Sequence, residues 1–225
     1  MTRPRTAADL LRDRTRAPAG DGAEADALAT LSDVFATDPV SGAATGFVAA
    51  RLAGRRGPVL WIQDRLSRRE AGRLYLSGLD CALEVIGVEV SRPRDVLWAM
   101  EEGLGCGELA GVVGEIWGEA PALDFTATKR LALRSEARAL PCWLVRRAAT
   151  PALSAARERW RLSALPALPD PHDMRAPGPV QWQAELFRSR LRAPGTWVAR
   201  PRPGGGVELS HRVDQATPPQ ASLSA

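Results

Sequence analysis

The sequence predicts an α/β fold: a core of mainly parallel strands flanked by helices, extended by C-terminal antiparallel strands. Three observations carry that expectation. Short apolar runs alternate with helical segments as far as about residue 150, the pattern of successive βαβ units. Those runs are nearly uninterrupted, as in strands covered on both faces. Beyond residue 150 the pattern becomes alternating, which marks strands with one solvated face.

In chain order, the predicted core strands are Leu31–Ala36, Val59–Ile62, Leu83–Val90, Leu109–Ile116 and Cys142–Val145. Helices fit between them at Thr45–Leu52, Ser67–Leu76, Pro93–Leu104 and Phe125–Leu140. In the third, Val96, Met100 and Leu104 fall at i, i+4 and i+8. In the fourth, Phe125, Ala132, Leu133, Ala137 and Leu140 are expected to share the buried face, and Pro141 stops it. The extension follows. Trp160, Leu162 and Ala164 alternate with Arg159, Arg161 and Ser163; Trp182, Ala184 and Leu186 alternate again; Thr196–Arg200 and Val207–Ser210 are further strands. Residues 1–26 read as a flexible N-terminal arm, 27–200 as one domain including the extension, and 201–225 as a hairpin with a flexible tail.

Composition narrows the function. Apolar content of 45% supports a packed core, and no run approaches the roughly 18 apolar residues of a membrane span. No apolar stretch follows the basic start, so a cytoplasmic protein is expected. Cys81, Cys106 and Cys142 are far apart without a C-x-x-C pair, which suits reduced thiols. His172 and His211, the only histidines, read as loop residues, and no metal cluster, G-x-S-x-G elbow or H-E-x-x-H helix is present. The net charge of +4 is carried almost wholly by arginine, since Lys129 is the only lysine.

One nucleotide motif is present and broken. Ser32–Phe47 runs from strand through turn to helix, the setting in which backbone N–H groups and a helix N-terminus hold phosphate. A working loop reads G-x-x-x-x-G-K-[ST]. Here Gly42 fits the second glycine, but Ala43 replaces the lysine, Ala44 replaces the hydroxyl residue, and Ala36 or Thr37 stands at the first glycine. Losing the lysine removes a charge-assisted bond of about 1.5–3 kcal/mol and, in phosphoryl transfer, a transition-state cation. Ser41, Gly42 and Thr45 are the candidate residues for any residual nucleotide or anion binding; no catalytic residue and no resident cofactor is expected. The metal-binding aspartate expected at the end of the fourth strand is Gly114 or Glu115, depending on register. Asp64, after the second strand, stands where a water-orienting acid would be placed, although a lone acid after a strand is more often a helix cap or loop residue.

Arginines recur at helical spacing. Arg65, Arg69 and Arg73 form one predicted ridge; Arg130, Arg134 and Arg138 form another; Arg188, Arg190 and Arg192 make a third cluster. Like charges at i,i+4 repel, so each ridge is either solvated surface or a contact for a partner or DNA. Seven tryptophans against one tyrosine are read first as packing.

The stretches Val90–Leu104 (V-S-R-P-R-D-V-L-W-A-M-E-E-G-L), Val112–Trp117 and Gly57–Asp64, with Trp160 and Trp182-x-x-Glu185-Leu186, resemble the ImuA family. Its members are RecA-like proteins of bacterial inducible-mutagenesis cassettes. The resemblance spans about residues 28–200. It implies a RecA-like core and a role in SOS-induced translesion DNA synthesis, with an ImuB-like polymerase homologue, an error-prone C-family DNA polymerase and RecA as partners. It supplies no catalytic residue. Direct DNA contact and self-association stay open. So do two other readings: a remodelled ATPase using Glu115 and the Ser41–Thr45 loop, and a SulA-like cell-division inhibitor. The chain length and the Arg92–Leu104 stretch favour the ImuA family over the latter.

Overall fold

The apolar runs form strands because each supplies side chains to both faces of one sheet. A computed structural model of the chain describes residues 23–24, 28–75, 83–173 and 175–211. Its strands are β1 (Ala23–Glu24), β2 (Leu31–Ala36), β3 (Val59–Asp64), β4 (Val85–Val90), β5 (Gly111–Trp117), β6 (Cys142–Arg147), β7 (Glu158–Leu165), β8 (Gln181–Ser189), β9 (Gly195–Pro201) and β10 (Val207–His211). The helices among the described residues are α1 (Ala43–Leu52), α2 (Arg65–Glu70), α3 (Pro93–Gly103) and α4 (Phe125–Arg138). The strands make a single sheet in the order β1-β10-β9-β8-β7-β2-β6-β5-β3-β4. From β7 to β4 every pairing is parallel; from β7 to β1 every pairing is antiparallel.

Two apolar clusters cover the two faces. On one, α1 inserts Phe47 among Trp143, Trp160 and Trp182, with ring centroids 6.3, 5.4 and 6.1 Å away. Gly46 permits this, because a Cβ there would stand 3.0 Å from the Trp182 ring. On the other face, Val96, Leu97 and Met100 of α3 and Leu131 of α4 pack on Ile62, Val112, Ile116 and Leu144. The tryptophans of the extension are thus core residues: Trp160, Trp182 and Trp197 join α1 to β7, β8 and β9.

Several expectations need correction. The second helix starts at Arg65, capped by Asp64, and ends at Glu70, because Gly72 turns the chain at φ +80°. Arg73 therefore stands off the helix, and the predicted Arg65–Arg69–Arg73 ridge does not exist. Leu76, the end predicted for that helix, and Cys81 lie outside the described residues. On α4 the buried stripe is Ala127, Thr128, Leu131, Ala132 and Ser135, while Phe125, Leu133 and Ala137 face solvent. Small residues win that face because the helix lies close to the chain beneath it: the Ala155 amide donates to Thr128 Oγ1 at 3.0 Å. On β7, Arg159 is buried and Ala164 exposed, with a register shift between Arg159 and Trp160. His211 closes β10 with its ring 6.2 Å from Trp197 rather than lying in a loop. The predicted arm and tail fall outside the described residues, apart from Ala23–Glu24 in β1.

Candidate functional site

In open α/β sheets ligands bind beyond the carboxyl ends of the strands, where the chain's crossovers diverge. Here that place lies at the ends of β2, β6, β5 and β3, since the chain leaves β3 toward β4 but leaves β5 toward β6. Thr37–Gly42 forms the turn between β2 and α1. Asp38 shapes it: its carboxylate accepts from the Val40 amide at 3.1 Å and its carbonyl from the Ser41 amide at 3.1 Å. Ser41 Oγ accepts from the Ala43 amide at 3.2 Å, and α1 begins there. Ala43 and Ala44 are buried in the core beside Phe47, so their side chains point inward and away from the turn.

The turn is filled from within by Arg147, at the end of β6. Its Nη1 donates to the carbonyls of Pro39 (2.6 Å) and Ser41 (2.9 Å), and its Nη2 donates to Thr45 Oγ1 (2.6 Å). Its Nε donates to Glu115 Oε1. The other carboxylate oxygen of Glu115 accepts from Trp61 Nε1 at 3.1 Å and Gln63 Nε2 at 3.0 Å. Gln63 also donates to the Gly72 carbonyl at 3.0 Å. Arg147 and Glu115 are 3% and 1% exposed, so this is a buried pair in which both groups have several partners. Parallel pairing builds it. Glu115 lies beside Gln63 on β3 and Val145 on β6, and Arg147, two residues beyond Val145, shares its face.

The geometry resolves the register of β5. Gly114 faces α3, where a Cβ would run into Met100 and Val96; Glu115 faces the turn. Asp64 caps α2, accepting from the Ser67 amide at 2.6 Å and the Trp117 amide at 3.2 Å. Among the predicted residues, Ser41, Gly42 and Thr45 come together with Glu115. Arg147 was missed, because the fifth strand was ended at Val145. Its signal was the Arg146-Arg147 pair after the apolar run, with Arg147 in phase with Trp143 and Val145 on the α1 face.

The predicted arginine clusters lie elsewhere. Arg130 pairs with Glu101 at 2.9 Å, and Arg134 donates to the Glu101 carbonyl at 3.1 Å, so both tie α4 to α3; Arg138 is exposed at the end of α4. Arg188 and Arg190 are exposed beside the start of β7, at the opposite end of the sheet from the turn. Arg192 is half-buried: its Nε donates to Glu158 at 2.8 Å and its guanidinium lies 5.0 Å over Trp160. A buried Arg51 meets the same Glu158 at 3.6 Å and stacks against Phe47, Trp143 and Trp160. On the opposite face Asp33 pairs with Arg159 at 3.1 Å. Burial raises its carboxyl above the usual aspartate range, while Arg159 and Arg146 pull it back. Burial likewise raises the Cys142 thiol and lowers Arg146. Among the described residues no group of His, Cys, Asp and Glu is arranged to hold a metal ion, and no helix is long and apolar enough to cross a membrane.

No protein-family model matches the chain. Protein ImuA of Caulobacter vibrioides, in each of two strains, is 32% identical over 182 residues, covering 75% of this chain and 72% of that protein. The chain belongs to the ImuA family. Its ImuA-like stretches fall on both faces of the sheet: Gly57–Asp64 ends in β3 and Val112–Trp117 lies in β5 with Glu115, while Val90–Leu104 supplies α3 on the face opposite the site. Trp160 and Trp182 complete the apolar face beneath α1.

Proposed function

We propose that this ImuA-family chain is a non-catalytic, cytoplasmic accessory protein of damage-induced translesion DNA synthesis. It contributes a RecA-like scaffold that bridges an ImuB-like polymerase homologue, an error-prone C-family DNA polymerase and RecA. The observation that carries its non-catalytic character is Arg147 inside the phosphate loop. A loop that holds phosphate offers N–H donors; this one turns the Pro39 and Ser41 carbonyls onto a guanidinium. Thr45, a candidate for residual anion binding, has its hydroxyl accepting from the same group. Glu115, the acid nearest the metal position, has its two oxygens taken by Arg147, Trp61 and Gln63. ATP would have to displace a four-contact cation and leave Glu115 buried beside its own phosphates.

Co-expression tests the proposal. The chain should co-purify with an ImuB-like partner, and Mg·ATP hydrolysis by the complex should not exceed that of the partner alone. Hydrolysis gained in the complex and lost in Glu115→Ala would overturn the non-catalytic reading.

A further inference from the structure

The closed phosphate loop leaves space beside it. A cleft of about 360 Å³ lies against the Ser41–Thr45 turn, and a second of about 340 Å³ lies over β3 and β4. Gln63, Arg73 and Leu74 line both, so the two are lobes of one groove. It crosses the sheet from Gly87 and Glu89 of β4 to the turn after β2. That is four strand spacings of about 4.8 Å, or roughly 20 Å, the length of about six residues of extended peptide. A compact ligand does not need such a shape.

The lining is apolar next to the turn, cationic in its middle, and mixed at the far lobe, where apolar side chains lie beside the Arg68–Glu89 pair. At the end next to the turn, Val40, Tyr75 and Val180 are 59%, 73% and 49% exposed and converge on a single cleft. Isolated exposed apolar side chains are ordinary, but a group around a concavity marks a contact surface. The other lobe has Trp61 and Val85 in its lining. Between them stands Arg73, held off α2 by the Gly72 turn. The carboxylates that line the groove are already engaged: Glu115 with Arg147, and Glu89 with Arg68 at 3.3 Å. Among the described residues none of them pairs with Arg73.

We propose that this groove docks an extended segment of a protein partner, with aliphatic residues at its two ends and a carboxylate in the middle that meets Arg73. Charge complementarity selects the occupant: among the described lining residues the charge outside an ion pair is the Arg73 guanidinium, which pairs with carboxylate through its planar fork. The apolar side chains of the two lobes supply area, and the central pair fixes register. The inference rests on the phosphate loop being closed, because a bound nucleotide would occupy the lobe beside Thr45.

Fluorescence anisotropy of a labelled seven-residue peptide, leucines at both ends and one central glutamate, tests it on the full chain. Saturable binding is expected, weakened about tenfold or more by Arg73→Glu or by replacing the central glutamate with lysine. Val180→Asp should weaken it similarly, Arg138→Glu should not, and circular dichroism should find all three variants folded. Absence of saturable binding, equal binding of the lysine peptide, or indifference to both groove variants would overturn the proposal. So would binding of a labelled single-stranded oligonucleotide that is lost in Arg73→Glu, which would assign the groove to nucleic acid. Millimolar Mg·ATP should leave the peptide signal unchanged. Displacement by ATP would overturn the closed-loop reading itself, whereas peptide failure without ATP binding sinks only the groove.

Discussion

Arg147 meets Pro39, Ser41, Thr45 and Glu115 at once, so removing it strands a carboxylate that is 1% exposed. Breaking a buried pair from one side costs about 3–5 kcal/mol, whereas removing both charges costs much less than the sum. Arg147→Ala and Glu115→Ala should each destabilise on that scale. The double variant should fall short of additivity by about 1–3 kcal/mol in a denaturant double-mutant cycle. Additive losses would mean that the two side chains do not act as a pair. A second residue-scale test concerns pH. Glu136 accepts from Arg157 at 2.6 and 3.0 Å and from Thr30 at 2.9 Å, and these bonds, Arg157 first, hold its carboxyl below the usual 4.5. A lowered folded-state value gives stability that is present above the unfolded value and lost as pH falls through the folded one. Glu136→Gln should therefore lower the melting temperature at pH 7 and lose that effect in strongly acidic solution; an equal loss at both would refute the assignment. At this scale the sequence was legible in part. Alanine at 43 and 44 is what the sequence offers for reading the turn as a phosphate loop without its lysine and hydroxyl, but the guanidinium that fills the turn comes from 102 positions beyond Thr45, and only parallel pairing brings it there.

Among the elements, β5 and α3 show how closely the layers fit. Gly114 lies where a Cβ would collide with the Met100 sulfur and with Val96, so α3 sits against bare backbone. Gly114→Ala should push α3 outward and cost about 1–3 kcal/mol, the scale of an overpacked core, measured by chemical denaturation; a neutral result would mean that α3 has room to move. The surface of α4 gives the contrasting case. Glu101 accepts Arg130 and approaches Arg134, but both arginines are more than half exposed. Glu101→Gln should cost less than about 1 kcal/mol, as exposed ion pairs do. Strand positions and the α3 stripe were readable from period alone, because Val96 and Met100 are large and regularly spaced. The α4 stripe was not readable, since apart from Leu131 its buried face is made of alanine, threonine and serine, which carry little hydropathy signal. The end of α2 was also missed, although Gly72 stood in the sequence as a breaker.

For the whole molecule, the antiparallel extension continues the parallel core within one sheet, and α1 locks them together through Phe47 and the tryptophans around it. The alternation after residue 150 announced those strands, and reading their tryptophans first as packing agrees with the structure, in which Trp160, Trp182 and Trp197 share one cluster with Val34 of β2 and Trp143 of β6. Phe47→Ala should cost about 3–5 kcal/mol and lower the stability of both parts in one transition, followed by tryptophan fluorescence and circular dichroism together. Separate transitions would show two independent units. On the non-catalytic reading we propose, the turn after β2 is a phosphate loop in which an internal guanidinium replaces the ligand. Calorimetric titration of Mg·ATP into the full chain tests this most directly. The account predicts no saturable heat at millimolar nucleotide. A one-to-one binding isotherm, weakened when Thr45 is changed to valine, would contradict it.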